Sequence, residues 1–511
     1  LPKFDYNEYM ADIKDLLSLL QNPTDKEKEL VQKAYDFAYE AHKNQKRLSG
    51  EPYFSHVFAT ATYIAELGMG ATTVSAGLLH DTLEDTPTTP EEIEKEFGKE
   101  IRFLVEGVTK LGTIKYQNTS RHNESLRKLF VAMSQDIRVL IIKLCDRLHN
   151  MQTLRYIPKE KQLRIAKETL EIYAPLAYRL GIKKLQRDLE DLAFQYIYPE
   201  ESEKIKKLFN IKKNEQEEHL DKFQKSLKKE LAKNEITNFK MDHRVKSIYS
   251  LYKKLKRYEM NIETIYDISA LRIIVPEVSD CYRILGIIHG EWRPLPGKIK
   301  DYIATPKLSG YQSLHTTIFS GDGGIIEIQI RTEDMHKEAE YGIASHMSYK
   351  DGLKKKKTNP NLLWVKKILP IKNIDEIDTS KNLDVKDIPT WIKELVEYQK
   401  ASGDESMEEI KSDFFEERIF VFTPKGDVID LPVNSSVIDF AYSVHSDIGN
   451  HLSGAKVNGK FTAIYTVLQN GDRVEIETKK TAKPSHKWLE FCKTTMAKRH
   501  IRNTLGITNK N

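Results

Sequence analysis

Cysteine is scarce in this 511-residue chain. Its three copies, Cys145, Cys281 and Cys492, lie far apart and form no CxxC pair. That excludes a zinc ribbon and leaves no disulfide framework, so a reducing, cytoplasmic setting is expected. No run of about 18 apolar residues occurs, and no membrane span is expected. The first residues lack the basic-then-apolar pattern of a signal peptide, and the chain opens at Leu1 rather than Met, as a processed chain would. An excess of one charge is also missing. Lys plus Arg (80) against Asp plus Glu (75) leaves +5, too little at this length to argue for nucleic-acid binding by itself. Neither GxxxxGK(S/T) nor GxGxxG is present, which excludes a Walker loop and a Rossmann turn as phosphate cradles. There is no internal repeat.

What is present is 40% apolar sequence, enough for real cores, over a length that predicts roughly three or four domains. Apolar residues recur at helical spacing from about 5 to 200, with Asp25 a candidate N-cap, and a charged, mostly solvated helix follows over 202–233. Strand-like text then alternates with helical text to about 350. A basic, turn-rich stretch with four lysines, KDGLKKKKTNPN, reads as a linker or exposed loop. Beyond it, two strands around a PKGD turn, a helix through SSVIDFAYSVHSDIG and further strands with NG turns make a small β-grasp-like module. The tail over 484–505 reads as helical and basic.

The segment LLHDTLEDT sets His80, Asp81, Glu84 and Asp85 directly behind an apolar run. Buried charges need partners or a metal. His80 and Asp81 diverge by about 100° on a helix, so they meet at one ion only if a helix end aims both at it. Other ligands must then come from other helices. His56 stands near the start of an apolar helix, and Asp146 follows five apolar residues out of six in LIIKLCD. Two imidazoles and two carboxylates suit Mn²⁺ or Fe²⁺ better than Zn²⁺. Glu84 and Asp85, one turn on, could move a proton for a water or a leaving group. A capped helix end with surface acids would explain HD alone.

A second constellation follows. HRVKSIYSLYKKLKR places Arg244, Lys246, Lys253, Lys254 and Arg257 within less than four turns, a set that suits phosphate oxygens and equally describes a solvated amphipathic helix. Asp267 precedes one β-branched strand and Glu327 lies inside another. If those strands are neighbours, the two carboxylates converge on one face and could hold Mg²⁺. Alternation puts Glu327, Gln329 and Arg331 on one side, as any half-exposed strand would. In GKIKDYIATPKLSGYQSLHT, Lys298, Lys300 and Lys307 bracket a turn with Tyr311 at its apex. An exposed ring there could stack on a base while the lysines hold its phosphates; core packing is the other reading of Tyr311.

RLSGEPYFSH, LLHDTLEDT and KLCDRLHNMQT resemble the H…HD…D signature of HD-superfamily phosphohydrolases, and most closely the hydrolase domain of the RelA/SpoT family. Residues 240–350 resemble that family's synthetase domain, and FAYSVHSDIG with GAKVNGK resembles its TGS module. The resemblance implies a multidomain α and α+β fold. Its parts are an all-helical HD domain (1–200), a mixed α/β nucleotidyltransferase-like synthetase (201–350), a linker with a helical segment (351–412), a β-grasp TGS module (413–480) and the start of a helical region (481–511). It implies two activities. One transfers pyrophosphate from ATP to the 3′-hydroxyl of GDP or GTP, giving (p)ppGpp and AMP. The other removes that pyrophosphate at a Mn²⁺-dependent HD site.

By the same resemblance Arg47, Ser49, Asn150 and Thr153 line the hydrolase pocket, with Glu84 and Asp85 catalytic. Asp267 and Glu327 hold Mg²⁺, and Glu327 also activates the 3′-hydroxyl. Arg244, Lys246, Ser250 and Lys254 meet ATP, Tyr311 stacks on guanine, and Lys300, Lys307 and His315 support the guanine nucleotide. His445 matches a position that meets deacylated tRNA on the ribosome. Leu48 and Gln152 replace basic residues of the family, Lys298 replaces Arg in a basic loop of bifunctional members, and Ser309 and Met347 replace Asn and Trp. The match ends at Asn511, before the later modules of long members. Two other functions fit the sequence: a hydrolase with a degenerate, nucleotide-sensing synthetase domain, which intact Asp267 and Glu327 argue against, and a non-catalytic ribosome or tRNA adaptor.

Overall fold

Thr24, not Asp25, starts the first long helix. Its hydroxyl accepts from the Glu27 N–H while the Glu27 carboxylate accepts from the Thr24 N–H, a reciprocal capping box. Asp25 cannot close such a pair, because its own third neighbour is Lys28, with which it forms an ion pair instead. The computed structural model describes residues 12–112, 136–257, 259–260, 269–306, 311–321, 324–342, 344–347, 418–426 and 428–507. These form two units, one within 12–347 and one within 418–507. The expected linker, its lysine run, Asp267 and Lys307 lie outside the described residues.

The first unit begins with α1 (Ile13–Ser18), α2 (Asp25–Ala41), α3 (Phe54–Glu66), α4 (Ala71–Leu79), α5 (Thr82–Asp85), α6 (Pro90–Gly112) and α7 (Ile137–Gln152). Next come α8 (Lys159–Glu168), α9 (Ala174–Arg179), α10 (Lys183–Ile197) and α11 (Pro199–Lys233). Helix α4 is buried almost throughout and packs against α2, α3, α6 and α7. Gly77 allows this, because a Cβ there would collide with Ile64 of α3. So the helical half buries the end of α4, where His80 and Asp81 stand.

Chain texture changes at β1 (Lys240–Val245), followed by α12 (Ile248–Arg257), β2 (Ser269–Val275), α13 (Val278–Glu291), β3 (Lys300–Asp301), β4 (Leu314–Phe319), β5 (Ile325–Thr332), α14 (Glu333–Tyr341) and α15 (Ala344–Met347). The basic run at 244–257 is therefore a strand end and a helix rather than one helix. Sheet order is β1-β2-β5-β4-β3, with β2 and β5 parallel and the other pairs antiparallel. One face carries Leu271, Ile273, Leu314, Ile318, Ile326, Ile328 and Ile330, covered by Leu220, Phe223, Leu227 and Leu231 of α11 and by Cys281, Ile284 and Ile288 of α13. The helix over 202–233 is therefore not mostly solvated: its apolar stripe roofs the sheet.

The second unit holds the hairpin β6 (Arg418–Phe422) and β7 (Val428–Pro432), then α16 (Val437–Val444), α17 (Ser446–Asn450), β8 (Leu452–Val457), β9 (Lys460–Thr462), β10 (Val474–Thr478), α18 (Trp488–Phe491) and α19 (Thr495–Thr504). The helix expected through SSVIDFAYSVHSDIG breaks at His445, whose extended backbone and ring cap α17. Buried Asp439 accepts from Ser436 at the start of α16 and from the N–H groups of Lys493 and Thr494, tying the tail helices to the module. Among the described residues no helix is long and apolar enough to cross a membrane.

Candidate metal centre and nucleotide-binding face

Helix α4 stops at Leu79. His80 forms its C-cap and Asp81 the N-cap of α5, so the two side chains leave the axis where the helix ends and both turn inward. His56, in the first turn of α3, and Asp146, midway along α7, meet them. His56 Nε2 lies 3.3 Å from carboxylate oxygens of both Asp81 and Asp146, and His80 Nε2 lies 3.2 Å from Asp81 and 4.0 Å from Asp146. His56, His80 and Asp146 are buried and offer ligand atoms within 4.8 Å of one another.

Hydrogen bonds fix which ring nitrogens are free. His80 Nδ1 lies 2.7 Å from the Gly77 carbonyl, which only accepts, so the proton sits on Nδ1. Its buried Nε2 has no hydrogen-bond partner. Arg47 donates to His149 Nδ1 at 3.0 Å, so the 2.9 Å contact between that atom and His56 Nδ1 requires His56 to donate. His56 Nε2 is thereby bare as well. Burial, with His56 and Arg47 alongside, holds His149 well below the usual imidazole value, consistent with a neutral acceptor.

Two lone pairs and two carboxylates thus face one point. Burial pushes His80 down, but Asp81 and Asp146 outweigh it and raise the imidazole to about 9, so Nε2 takes either a proton or a cation as counter-charge to the two carboxylates. For Asp81 and Asp146 the neighbouring cations win over burial, and both stay well below the usual carboxylate range. This donor set, with its orphaned nitrogen, fits a divalent cation.

Around it, Lys143 Nζ lies 2.6 Å from Asp146, and Asn150 donates to the other Asp146 oxygen. Arg47 also donates to Asn150 at 2.8 Å and Thr153 at 3.3 Å, so three of the four expected pocket residues are joined. Ser49 instead donates to Glu51. Glu84 and Asp85 stand exposed at the rim. Even so, partial desolvation, against Lys143 and with Asp81 and Asp85, raises Glu84. The Tyr53 hydroxyl lies 2.8 Å from Asp81 and 2.6 Å from Asp85, and its single proton serves one at a time. Leu48 is 75% exposed, and Gln152 accepts from Tyr63. Tyr53, Lys143 and His149 were missed in the sequence. Helical spacing carried the signal, since each stands three residues from His56 or Asp146 on its own segment.

The sheet builds the second site. Paired residues share a face, and one row crosses all five strands: Asp242, Arg272, Gln329, His315 and Lys300. The next row runs Arg244, Ala270, Glu327, Thr317. The strands carrying Glu327 and following Asp267 are indeed neighbours, and small Ala270 separates Arg244 from Glu327. Gln329 donates to Glu327 at 2.8 Å, and His315 Nδ1 lies 3.4 Å from the same oxygen. With that proton toward the carboxylate, His315 Nε2 accepts from the Tyr311 hydroxyl at 2.8 Å. Lys246 lies in the β1–α12 turn, Ser250 and Lys254 lie on α12, and the Ser247 hydroxyl contacts that of Ser250 at 2.7 Å.

Tyr311 is not the exposed apex expected. The ring is 8% accessible, edge-on to Tyr302 and His315, with Lys183 Nζ 3.9 Å from its centroid. Tyr302 and His315 come from the same segment, but Lys183 comes from far upstream, so the local pattern of a lysine-flanked loop could not reveal the whole cover. Arg331, expected beside Glu327, is buried with its guanidinium toward His336 and Glu340. Glu340 also meets Arg187 at 2.6 Å and Arg272 at 3.6 Å. Against burial, those cations hold it at about 2. In the second unit His445 is exposed.

Residues 34–183 match an HD domain model, 243–354 a region found in RelA / SpoT proteins, and 419–478 a TGS domain model. The chain is 45% identical over 480 residues to a guanosine-3′,5′-bis(diphosphate) 3′-pyrophosphohydrolase of Aquifex aeolicus (strain VF5), covering 93% of this chain and 64% of that protein. It is 44% identical over 504 residues to a protein of the same name from Spiroplasma citri, covering 98% and 65%. A GTP pyrophosphokinase of Myxococcus xanthus is 42% identical over 484 residues, covering 94% and 60%. The chain thus spans just under two thirds of the length of these relatives.

Proposed function

The chain belongs to the RelA/SpoT family, and from that premise we propose that it is a bifunctional enzyme of the stringent response, making and degrading ppGpp and pppGpp in the cytoplasm. Its parts are an HD hydrolase over 1–200, a synthetase over 201–350, a linker over 351–412, a TGS module over 413–480 and a helical start beyond. The observation that carries the reading is that one compact unit holds both a four-residue ligand cluster with a bare, buried His80 Nε2 and a separate polar sheet face bearing Glu327.

In the hydrolase, His56, His80, Asp81 and Asp146 hold Mn²⁺, which supplies Lewis-acid polarisation of a phosphoryl oxygen when bound. Arg47, Asn150 and Thr153, already joined by hydrogen bonds, present one polar wall to the nucleotide, with Ser49 beside them. Glu84, raised above the usual carboxyl range by partial burial, exchanges a proton with the attacking water or the leaving pyrophosphate, and Asp85, joined to Asp81 through the Tyr53 hydroxyl, stands beside it.

In the synthetase, Asp267 and Glu327 hold Mg²⁺. The 3′-hydroxyl of GDP or GTP attacks the β-phosphorus of ATP, its proton passes to Glu327, and AMP leaves. Gln329 and His315 orient the Glu327 carboxylate. Arg244, Lys246, Ser250 and Lys254 meet the ATP phosphates, while Lys300, Lys307, His315 and Tyr311 take the guanine nucleotide. Through His445 the TGS module meets deacylated tRNA on the ribosome.

Separation of function tests this. Asp146→Ala should abolish ppGpp hydrolysis and leave synthesis intact, and Glu327→Gln should cut synthesis by orders of magnitude with hydrolysis intact. Loss of both activities in either variant, without unfolding, would contradict two separate sites.

A further inference from the structure

We propose that Lys183 sets the affinity of the acceptor-nucleotide site, its ammonium occupying the Tyr311 face that a purine base must take. The proposal rests on the reading of Tyr311 as the base platform. It starts from a conflict: a stacking platform must offer a face, yet this ring is 8% accessible. Tyr302 and His315 meet it edge-on, and the hydroxyl is held by His315, so its plane is set. Lys183 Nζ, 3.9 Å from the centroid, is well inside cation–π range. A stacked base needs the same space above the ring. Cation and base therefore compete.

Lys183 comes from outside the synthetase sheet. It is the first residue of α10, and the main chain there is anchored on both sides. Ile182 is fully buried, Lys184 pairs with Glu66 of α3 at 2.8 Å, and Arg187 pairs with Glu340 of α14 at 2.6 Å. The backbone cannot follow a departing side chain, but four rotatable bonds let the ammonium swing away. An incoming base must break the cation–π contact before it stacks, and this weakens acceptor binding. The donor site, across the sheet at Arg244 and α12, is not opposed in this way.

Steady-state kinetics of synthesis by the full chain test the idea, varying GDP and ATP separately. Lys183→Met keeps the stem and removes the charge. It should lower KM for GDP by about 3- to 30-fold, the span of cation–π strengths, and leave KM for ATP unchanged. Lys183→Arg keeps a cation over the ring and should stay near wild type. If turnover of Lys183→Met is too slow to read, calorimetric GDP affinity should show the same gain. An unchanged or higher KM for GDP in Lys183→Met overturns the proposal; a higher one would mean that the ammonium binds the nucleotide instead. Tyr311→Ala separates the two readings. If it raises KM for GDP while Lys183→Met does nothing, only the Lys183 inference fails. If it leaves KM for GDP unchanged, the platform reading fails first.

Discussion

At the scale of single residues, proton positions decide what the metal centre can do. His80 and His56 are useful because other groups claim their Nδ1 protons, the Gly77 carbonyl in one case and His149 in the other. The second arrangement depends on Arg47, which cannot accept and so forces His149 to do so. Arg47→Ala should therefore weaken Mn²⁺ binding by about 10- to 100-fold, as loss of a ligand-orienting partner does, although Arg47 is not a ligand. Metal titration by calorimetry checks this, and wild-type affinity in the variant would show that the His149 link is idle. His80→Ala removes a donor outright and should lower bound Mn²⁺ while synthesis persists. The cluster of His56, His80, Asp81 and Asp146 was legible in the sequence because ionisable residues interrupt apolar runs. The orienting groups were not, since Arg47 and His149 are 102 residues apart and look ordinary in their own segments.

At the scale of elements, α10 does the work that composition could not reveal. Its Asp191 accepts from the first N–H groups of α12, Ile248 at 3.2 Å and Tyr249 at 2.9 Å, and so steadies the helix carrying Ser250 and Lys254. Burial raises Asp191 to about 6, against the usual 3.8, despite those two bonds. The folded chain thus keeps a proton that the unfolded chain releases between these values. The stability it lends is full below about 3.8 and lost as pH rises through about 6. Relative to Asp191→Asn, which does not titrate, the wild type should lose on the order of 3 kcal/mol between about pH 4 and pH 7. Urea unfolding of both proteins across that range checks it, and a constant difference would contradict it.

Gly342 ends α14 at φ +52°, and a Cβ there would strike the backbone of Leu180 and Gly181. Gly342→Ala should cost at least about 2 kcal/mol, read as a lower melting temperature. Helical and strand periodicity made most of these elements legible. Long-range docking was not, and it is why Tyr311 and α11 were misjudged. The sheet that α11 covers and the Lys183 that caps Tyr311 lie outside any local window, although Tyr302 and His315 stand within the Tyr311 segment itself.

At the scale of the whole molecule, both sites share one unit, and a short run of contacts lies between them. Helix α3 carries His56 in its first turn and Glu66 at its end; Glu66 holds Lys184, and Lys183 covers Tyr311. On the proposed function, synthesis followed by hydrolysis would only convert ATP to AMP and pyrophosphate, so simultaneous activity would be wasteful. Nucleotide in one site should disfavour binding in the other by a factor that is equal in both directions. Calorimetry on Glu84→Ala and Glu327→Gln chains measures each direction, and affinities indifferent to the second ligand would make the sites independent.

The most direct measurement follows one label through both reactions. ATP labelled in its γ-phosphate is incubated with GDP and Mg²⁺, and the guanosine product is isolated and returned to the same protein with Mn²⁺. The account predicts that label moves to the 3′ position with AMP as co-product, then leaves as intact pyrophosphate with GDP restored. No transfer in the first step, release of labelled monophosphate in the second, or a product that survives Mn²⁺ would contradict it.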